Sequence, residues 1–141
     1  MDHARAFAIS SSGLELERLR VEVASLNLAN ANTVADADGA VFQPLRVVAR
    51  SSGVDGFAGH VRRHLPTPVG TVEPATLAPR RVHEPGHPLA DARGFVAYAP
   101  VDPATEMLTL MAATRAYEAN VVALNAARTM AMKALDIGGG S

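Results

Sequence analysis

The sequence predicts an α+β protein in which long N- and C-terminal helices pair as an antiparallel, coiled-coil-like strut, with a small β-rich insert between them. Three observations carry this expectation. Heptad-spaced apolar residues occupy residues 5–32 and 103–137, the stretch between them is rich in Gly and Pro, and aromatic residues make up only 4% of a chain that is 48% hydrophobic. Apolar character supplied by Ala, Val and Leu suits close contact between helices better than a bulky globular core, and isolated helices need partners to be stable. The division that follows is a discontinuous axial core, residues 1–33 and 103–141, interrupted by an insert of residues 34–102. A chain of 141 residues leaves room for one domain, or one small domain plus an extended element.

In the N-terminal segment Ile9, Leu16 and Val23 recur every seven residues. Ser12, Leu19 and Leu26 fall between them at the alternating three-and-four spacing of a packing seam. Arg18 and Glu22 stand at i,i+4 and Glu17 and Arg20 at i,i+3, where opposite charges support a helix by a few tenths of a kcal/mol, roughly. The segment ends in Asn27-Leu28-Ala29-Asn30-Ala31-Asn32-Thr33. Asn side chains compete for backbone hydrogen bonds and favour a helix end or turn. Two accounts fit the run: a frayed terminus, or amides that bridge neighbouring backbone groups at a packed contact, since an amide both donates and accepts.

From Thr33 to Asp102 the pattern changes to short β-prone runs: Val41 to Arg50, Phe57 to Arg62, Gly70 to Val72, Val82 with His83, and Gly94 to Tyr98. Together they read as a small antiparallel β element with long irregular connections, of a size that is marginally stable alone. Pro44, Pro66, Pro68, Pro74, Pro79, Pro85 and Pro88 would each delete a ladder donor, so the strands are expected to be short or at an edge. Asp36-Ala37-Asp38-Gly39 has the look of a calcium loop's opening, but Ala40 holds the fifth position and Val47 stands where the bidentate Glu belongs. The spacing therefore predicts a turn.

Asp102 and Pro103 mark the start of the last segment, as an N-cap and the residue best tolerated at the first helical position. Met107, Leu110, Thr114, Tyr117, Val121, Leu124, Arg128, Ala131 and Leu135 then follow three-and-four spacings over four heptads, about 45 Å at ~1.5 Å per residue. Lys133 complements the helix dipole in the last turn, and Gly138-Gly139-Gly140 ends the helix. A seam of this length exceeds what the insert could cover. Its apolar surface is expected to meet the first helix or other subunits.

No constellation of residues specifies chemistry. Thirteen basic residues, of which Lys133 is the one Lys, are dispersed among fourteen acidic ones for a formal charge of −1, so there is no electrostatic footprint for nucleic acid or an anionic membrane. The absence of Cys rules out disulfides and thiolate metal sites. His60 with His64 and His83 with His87 have four-residue spacing, but Pro85 breaks any helix across the second pair and no carboxylate stands at ligand spacing from the first. Ser10, Ser11 and Ser12 belong to no nucleophile motif, and the terminal glycines follow a helix instead of opening one. No enzyme, cofactor, metal or small-molecule substrate is indicated. Residues 1–9 form no apolar core of a secretion signal, and nowhere do ~18 apolar residues run together to span a bilayer.

Asn27-Leu28-Ala29-Asn30 closely resembles the motif near the amino terminus of bacterial flagellar rod and hook axial proteins, and Arg115-Ala116-Tyr117-Glu118-Ala119-Asn120 resembles their carboxy-terminal motif. Both lie on the seams identified above, at opposite ends of the chain. The run Glu84-Pro85-Gly86-His87-Pro88-Leu89-Ala90-Asp91-Ala92-Arg93-Gly94-Phe95-Val96 is similar to a segment of the proximal rod members, whose short length also fits. Where the family usually has an Asn-containing turn before the last helix, this chain has Pro100-Val101-Asp102-Pro103-Ala104, and Leu26 replaces a common Ser.

The resemblance implies a structural subunit of the flagellar proximal rod. Such a subunit is exported unfolded through the flagellum-specific type III apparatus, assembles helically, and transmits torque across the periplasm. Its partners are other copies and neighbouring rod proteins, with no nucleic acid, no bilayer insertion and no small molecule. The packing residues expected from the seams and motifs are Leu16, Leu19, Val23, Leu26, Asn27, Leu28, Asn30, Leu110, Tyr117, Glu118, Asn120, Val121 and Leu124. The competing reading is a soluble coiled-coil adaptor or export chaperone whose β insert grips a client.

Overall fold

The computed structural model describes residues 3–36, 38–51 and 68–138 of the chain. Helix α1, His3–Ala29, and helix α2, Pro103–Gly138, flank four strands: β1, Leu45–Ser51; β2, Pro68–Pro74; β3, Arg80–His83; and β4, Phe95–Tyr98. The α+β class and the placing of short strands between two terminal helices are as the sequence predicts. The strands make two separate two-stranded sheets, β1 with β2 and β3 with β4. Proline explains where they stop: β2 begins at Pro68 and ends at Pro74, positions where a missing N–H costs no ladder bond, and Pro44 lies just before β1. The expected run from Phe57 to Arg62 lies outside the described residues.

Among the described residues the chain forms two compact units. One contains α1 through Leu19 and α2 from Ala112; the other contains Arg20–Val47 and Val72–Met111. Within the first, Leu16, Glu17, Ala113 and Ala127 are buried, and Gly13 stands against Asn120. A Cβ on Gly13 would lie 3.0 Å from Nδ2 and 3.2 Å from Oδ1 of Asn120. Close approach is therefore what glycine supplies there, at a helix-propensity cost of about 1 kcal/mol relative to Ala.

In the second unit β3 and β4 pair antiparallel, with Arg80 opposite Tyr98, Val82 opposite Val96 and His83 opposite Phe95. Val96 is fully buried, and the rings of His83 and Phe95 meet edge to face at 5.0 Å. The loop joining these strands is organised by Asp91. Its carboxylate accepts from the N–H groups of Arg93 and Phe95 and pairs with Arg81, while its own N–H donates to the Phe95 carbonyl. Those bonds, the Phe95 N–H foremost, hold the Asp91 carboxyl below its ordinary pKa. Gly94 closes the loop at φ +77°, a left-handed conformation glycine adopts without strain, with Pro85 only 3.0 Å from where a Cβ would sit. The predicted turn at Asp36 is present: Asp36 Oδ1 accepts from the N–H groups of Asp38 and Ala40, and Gly39 has φ +80°.

After α1 the chain runs beside β4. Ala35 N–H donates to the Ala97 carbonyl at 2.8 Å and Ala99 N–H to the Thr33 carbonyl at 2.9 Å. This brings Ala31, Ala99 and Val101 into one core cluster, packed by Val41 and Phe42. Asp102 then caps α2 as expected, accepting from Ala104 N–H and the Thr105 hydroxyl while its carbonyl takes Glu106 N–H at 3.1 Å. The Thr105 hydroxyl, followed by the Ala104 N–H, keeps the Asp102 carboxyl below its ordinary pKa.

Candidate functional site

The end of α1 is where the sequence left two accounts open. Asn30 closes the helix: its N–H is shared between the carbonyls of Leu26 and Asn27, and its side-chain amide donates to Leu26 O at 2.8 Å. Thr33 then caps Asn30 O through both its N–H and its hydroxyl. Asn27 follows the bridging account. Its side chain is 1% exposed, donates from Nδ2 to Leu45 O at 2.8 Å and to Glu106 Oε1 at 3.1 Å, and accepts Leu45 N–H at Oδ1 at 2.8 Å. One amide thereby joins the last turns of α1, the first residue of β1 and the first turn of α2. Glu106 is partly buried there. Loss of solvent pushes its carboxyl pKa up, the bond from Asn27 opposes that, and the nearby Asp102 charge adds to it.

The remaining packing residues separate into two groups. Leu16 and Val23 are buried, and Leu19, Leu28, Asn30, Leu110, Asn120, Val121 and Leu124 are half-buried. Leu26, Tyr117 and Glu118 are exposed. The inward stripe of α2 runs through Glu106, Leu110, Ala113, Ala116, Asn120, Leu124, Ala127 and Ala131, each of them buried or half-buried. This differs from the seam read from apolar spacing, because Met107, Thr114, Tyr117, Arg128 and Leu135 stay exposed. Small side chains allow close approach, so the face turned inward is set by volume as much as by hydropathy.

The opposite face is left uncovered. Leu108, Met111, Val122 and Ile137 lie on that side and are exposed large apolar residues, Ile137 by 83%, with Met130 and Met132 exposed on its flanks. Met111, Arg115, Glu118 and Val122 follow spacings of four, three and four, so two residues of the carboxy-terminal motif lie in line with two bare apolar side chains. Composition alone could not find this second stripe, since periodicity reports an apolar face without saying which molecule covers it.

Among the described residues no helix is long and apolar enough to cross a membrane, and no cluster of His, Asp and Glu could hold a metal ion. Two long terminal helices, one of them with exposed large apolar residues, flank a small β insert, which defines an α+β class of protein. Two family models match, one described as flagella basal body rod protein over residues 7–34, the other as flagellar basal body rod FlgEFG protein C-terminal over residues 92–137. The flagellar basal-body rod protein FlgC of Escherichia coli O6:H1 is 38% identical over 133 residues, covering 94% of this chain and 95% of that protein. FlgC of Salmonella typhimurium matches equally, and FlgC of Bacillus subtilis is 35% identical over 92% of this chain and 94% of its own length. The chain belongs to the FlgC family of flagellar basal-body rod proteins. It is a rod protein by family and not an enzyme.

Proposed function

We propose that the chain is a structural subunit of the proximal part of the basal-body rod, built into a helical assembly that transmits torque across the periplasm after export by the flagellar type III apparatus. Its partners are other copies and neighbouring rod proteins. The observation that carries this reading is the bare apolar stripe on α2, which a protein acting alone has no reason to keep and which a heterologous, filament-building contact would bury. Pairing of the terminal helices as an antiparallel strut belongs to the same proposal. A helix–helix contact within each of the two compact units supports that pairing, Gly13 against Asn120 in one and Asn27 with Glu106 in the other. In this reading residues 1–33 and 103–141 form the axial core and 34–102 the insert. Leu26, Tyr117 and Glu118 contact neighbours directly, while Leu16, Leu19, Val23, Asn27, Leu28, Asn30, Leu110, Asn120, Val121 and Leu124 shape the strut that presents them. The adaptor reading loses its footing because relatives that share nearly the whole chain are rod proteins.

The test is Val122→Asp, at an exposed position where a charge leaves the fold intact. In a strain lacking the endogenous rod subunit, the variant is expected to be made at normal levels with an unchanged melting temperature, yet to be missing from purified basal bodies, with swimming lost in soft agar. A motile strain with normal basal bodies defeats the proposal.

A further inference from the structure

We infer that Asn27 and Glu106 are positioning residues for rod assembly: they clamp the first residue of β1 to the facing ends of both helices, so that the insert leaves the helices in one fixed heading. This rests on the rod-subunit reading and adds to it a role for the amino-terminal motif inside the subunit. The geometry is selective. Leu45 offers Asn27 a donor and an acceptor on a single residue, the N–H to Oδ1 and the carbonyl to Nδ2, both at 2.8 Å. A second Nδ2 hydrogen remains for Glu106 Oε1 at 3.1 Å. Only an amide carries donor and acceptor side by side, and of the two amide side chains Asn has the shorter stem. Asp would place oxygen against the Leu45 carbonyl and the Glu106 carboxylate. Leu would fill the space and satisfy none of the three bonds.

The clamp fixes direction as well as contact. Two antiparallel hydrogen bonds to one residue set the plane of its peptides, whereas apolar packing alone tolerates sliding and rotation. The same unit holds the Arg46–Glu73 ion pair at 3.7 Å and the Ala75 N–H to Pro44 carbonyl bond at 2.7 Å, so the start of β1 in turn fixes the end of β2. In a helical assembly every subunit repeats the same contact, and an error in heading recurs at each step. A rigid heading set before assembly is what such a structure needs.

The experiment uses the full chain in four forms: wild type, Asn27→Asp, the double variant Asn27→Asp with Glu106→Gln, and Val96→Ala as a destabilised control with the clamp intact. Amide exchange at Leu45 is measured on the purified chain and incorporation on basal bodies from complemented strains. Asn27→Asp keeps an acceptor for the Leu45 N–H but loses both Nδ2 bonds and sets a carboxylate against the Leu45 carbonyl and Glu106, so local opening is expected to speed Leu45 exchange by about tenfold and to abolish incorporation. In the double variant the amide introduced on α2 can donate to the carboxylate introduced on α1, reversing the polarity of the bond, and incorporation is expected to return in part. Val96→Ala is expected to lower the melting temperature yet still incorporate. Incorporation of Asn27→Asp at wild-type levels overturns the inference, as does equal failure of Val96→Ala, or a double variant no better than the single one. Failure of the wild-type chain to enter basal bodies would instead overturn the rod-subunit reading, leaving the exchange measurement to judge the clamp.

Discussion

Glu106 stands between opposing influences, and the balance gives its ionisation a definite direction. Burial raises its carboxyl pKa in the folded chain more than the Asn27 hydrogen bond lowers it. A raised folded pKa contributes stability that is fully present below the unfolded value of about 4.3 and is lost as pH rises through the folded value. Glu106→Gln keeps an oxygen for Asn27 and removes the charge. The variant is therefore expected to exceed wild type in urea midpoint at neutral pH, with the gap closing as pH falls toward ~4. Asp102 runs the other way, since its folded pKa is lowered: its contribution is present above the unfolded value of about 3.9 and disappears as pH falls through the folded one. A midpoint gap that widens on acidification would contradict the assignment to Glu106. At this scale the sequence named Asn27 and Asp102 but not Glu106 as Asn27's partner, because 79 residues separate the two and no local pattern reports so distant a pairing.

Helix α1 keeps a glycine in its interior, and the reason lies on the other helix. Asn120 fills the space above Gly13, so adding a side chain trades helix propensity against packing. For Gly13→Ala the neighbouring atoms belong to the end of a side chain that can turn aside, and the gain of about 1 kcal/mol in propensity largely offsets the crowding. Gly13→Leu has no such outlet and is expected to cost ~1–3 kcal/mol in chemical denaturation, through overpacking. Equal stability of Gly13→Leu and wild type would show that the two helices do not meet at this point. The ends of both helices were legible from Asn27–Thr33 and from Asp102-Pro103, since caps are local chemistry. The inward face of α2 was legible only in part: Leu110, Leu124 and Ala131 lie on it, but Ala113 and Ala127 are its buried members, Met107 is off it, and Leu135, one turn past Ala131, is exposed. Hydropathy weighted the methionines and leucines, whereas close helix contact selected alanine.

For the whole molecule the consequence is a chain with two apolar faces on one helix and only one of them covered. Leu124, half-buried on the inward stripe, and Val122, exposed on the outer one, separate the two roles. Leu124→Asp places a charge against the inward face and is expected to cost several kcal/mol, roughly 2–4, while also stopping rod assembly, so both the melting temperature and soft-agar swimming fall. Val122→Asp is expected to abolish swimming alone. A Leu124→Asp strain that swims normally would refute the packing assignment. What the sequence determined by itself is what neighbouring residues decide together: two long helices and their caps, short strands limited by proline, the turn at Asp36, and the paired motifs that place the chain in the rod family. What only the tertiary structure decided is which side of each helix faces inward and what Asn27 holds, because both depend on groups brought together from opposite ends of the chain, where side-chain volume and hydrogen-bond geometry outweigh periodicity.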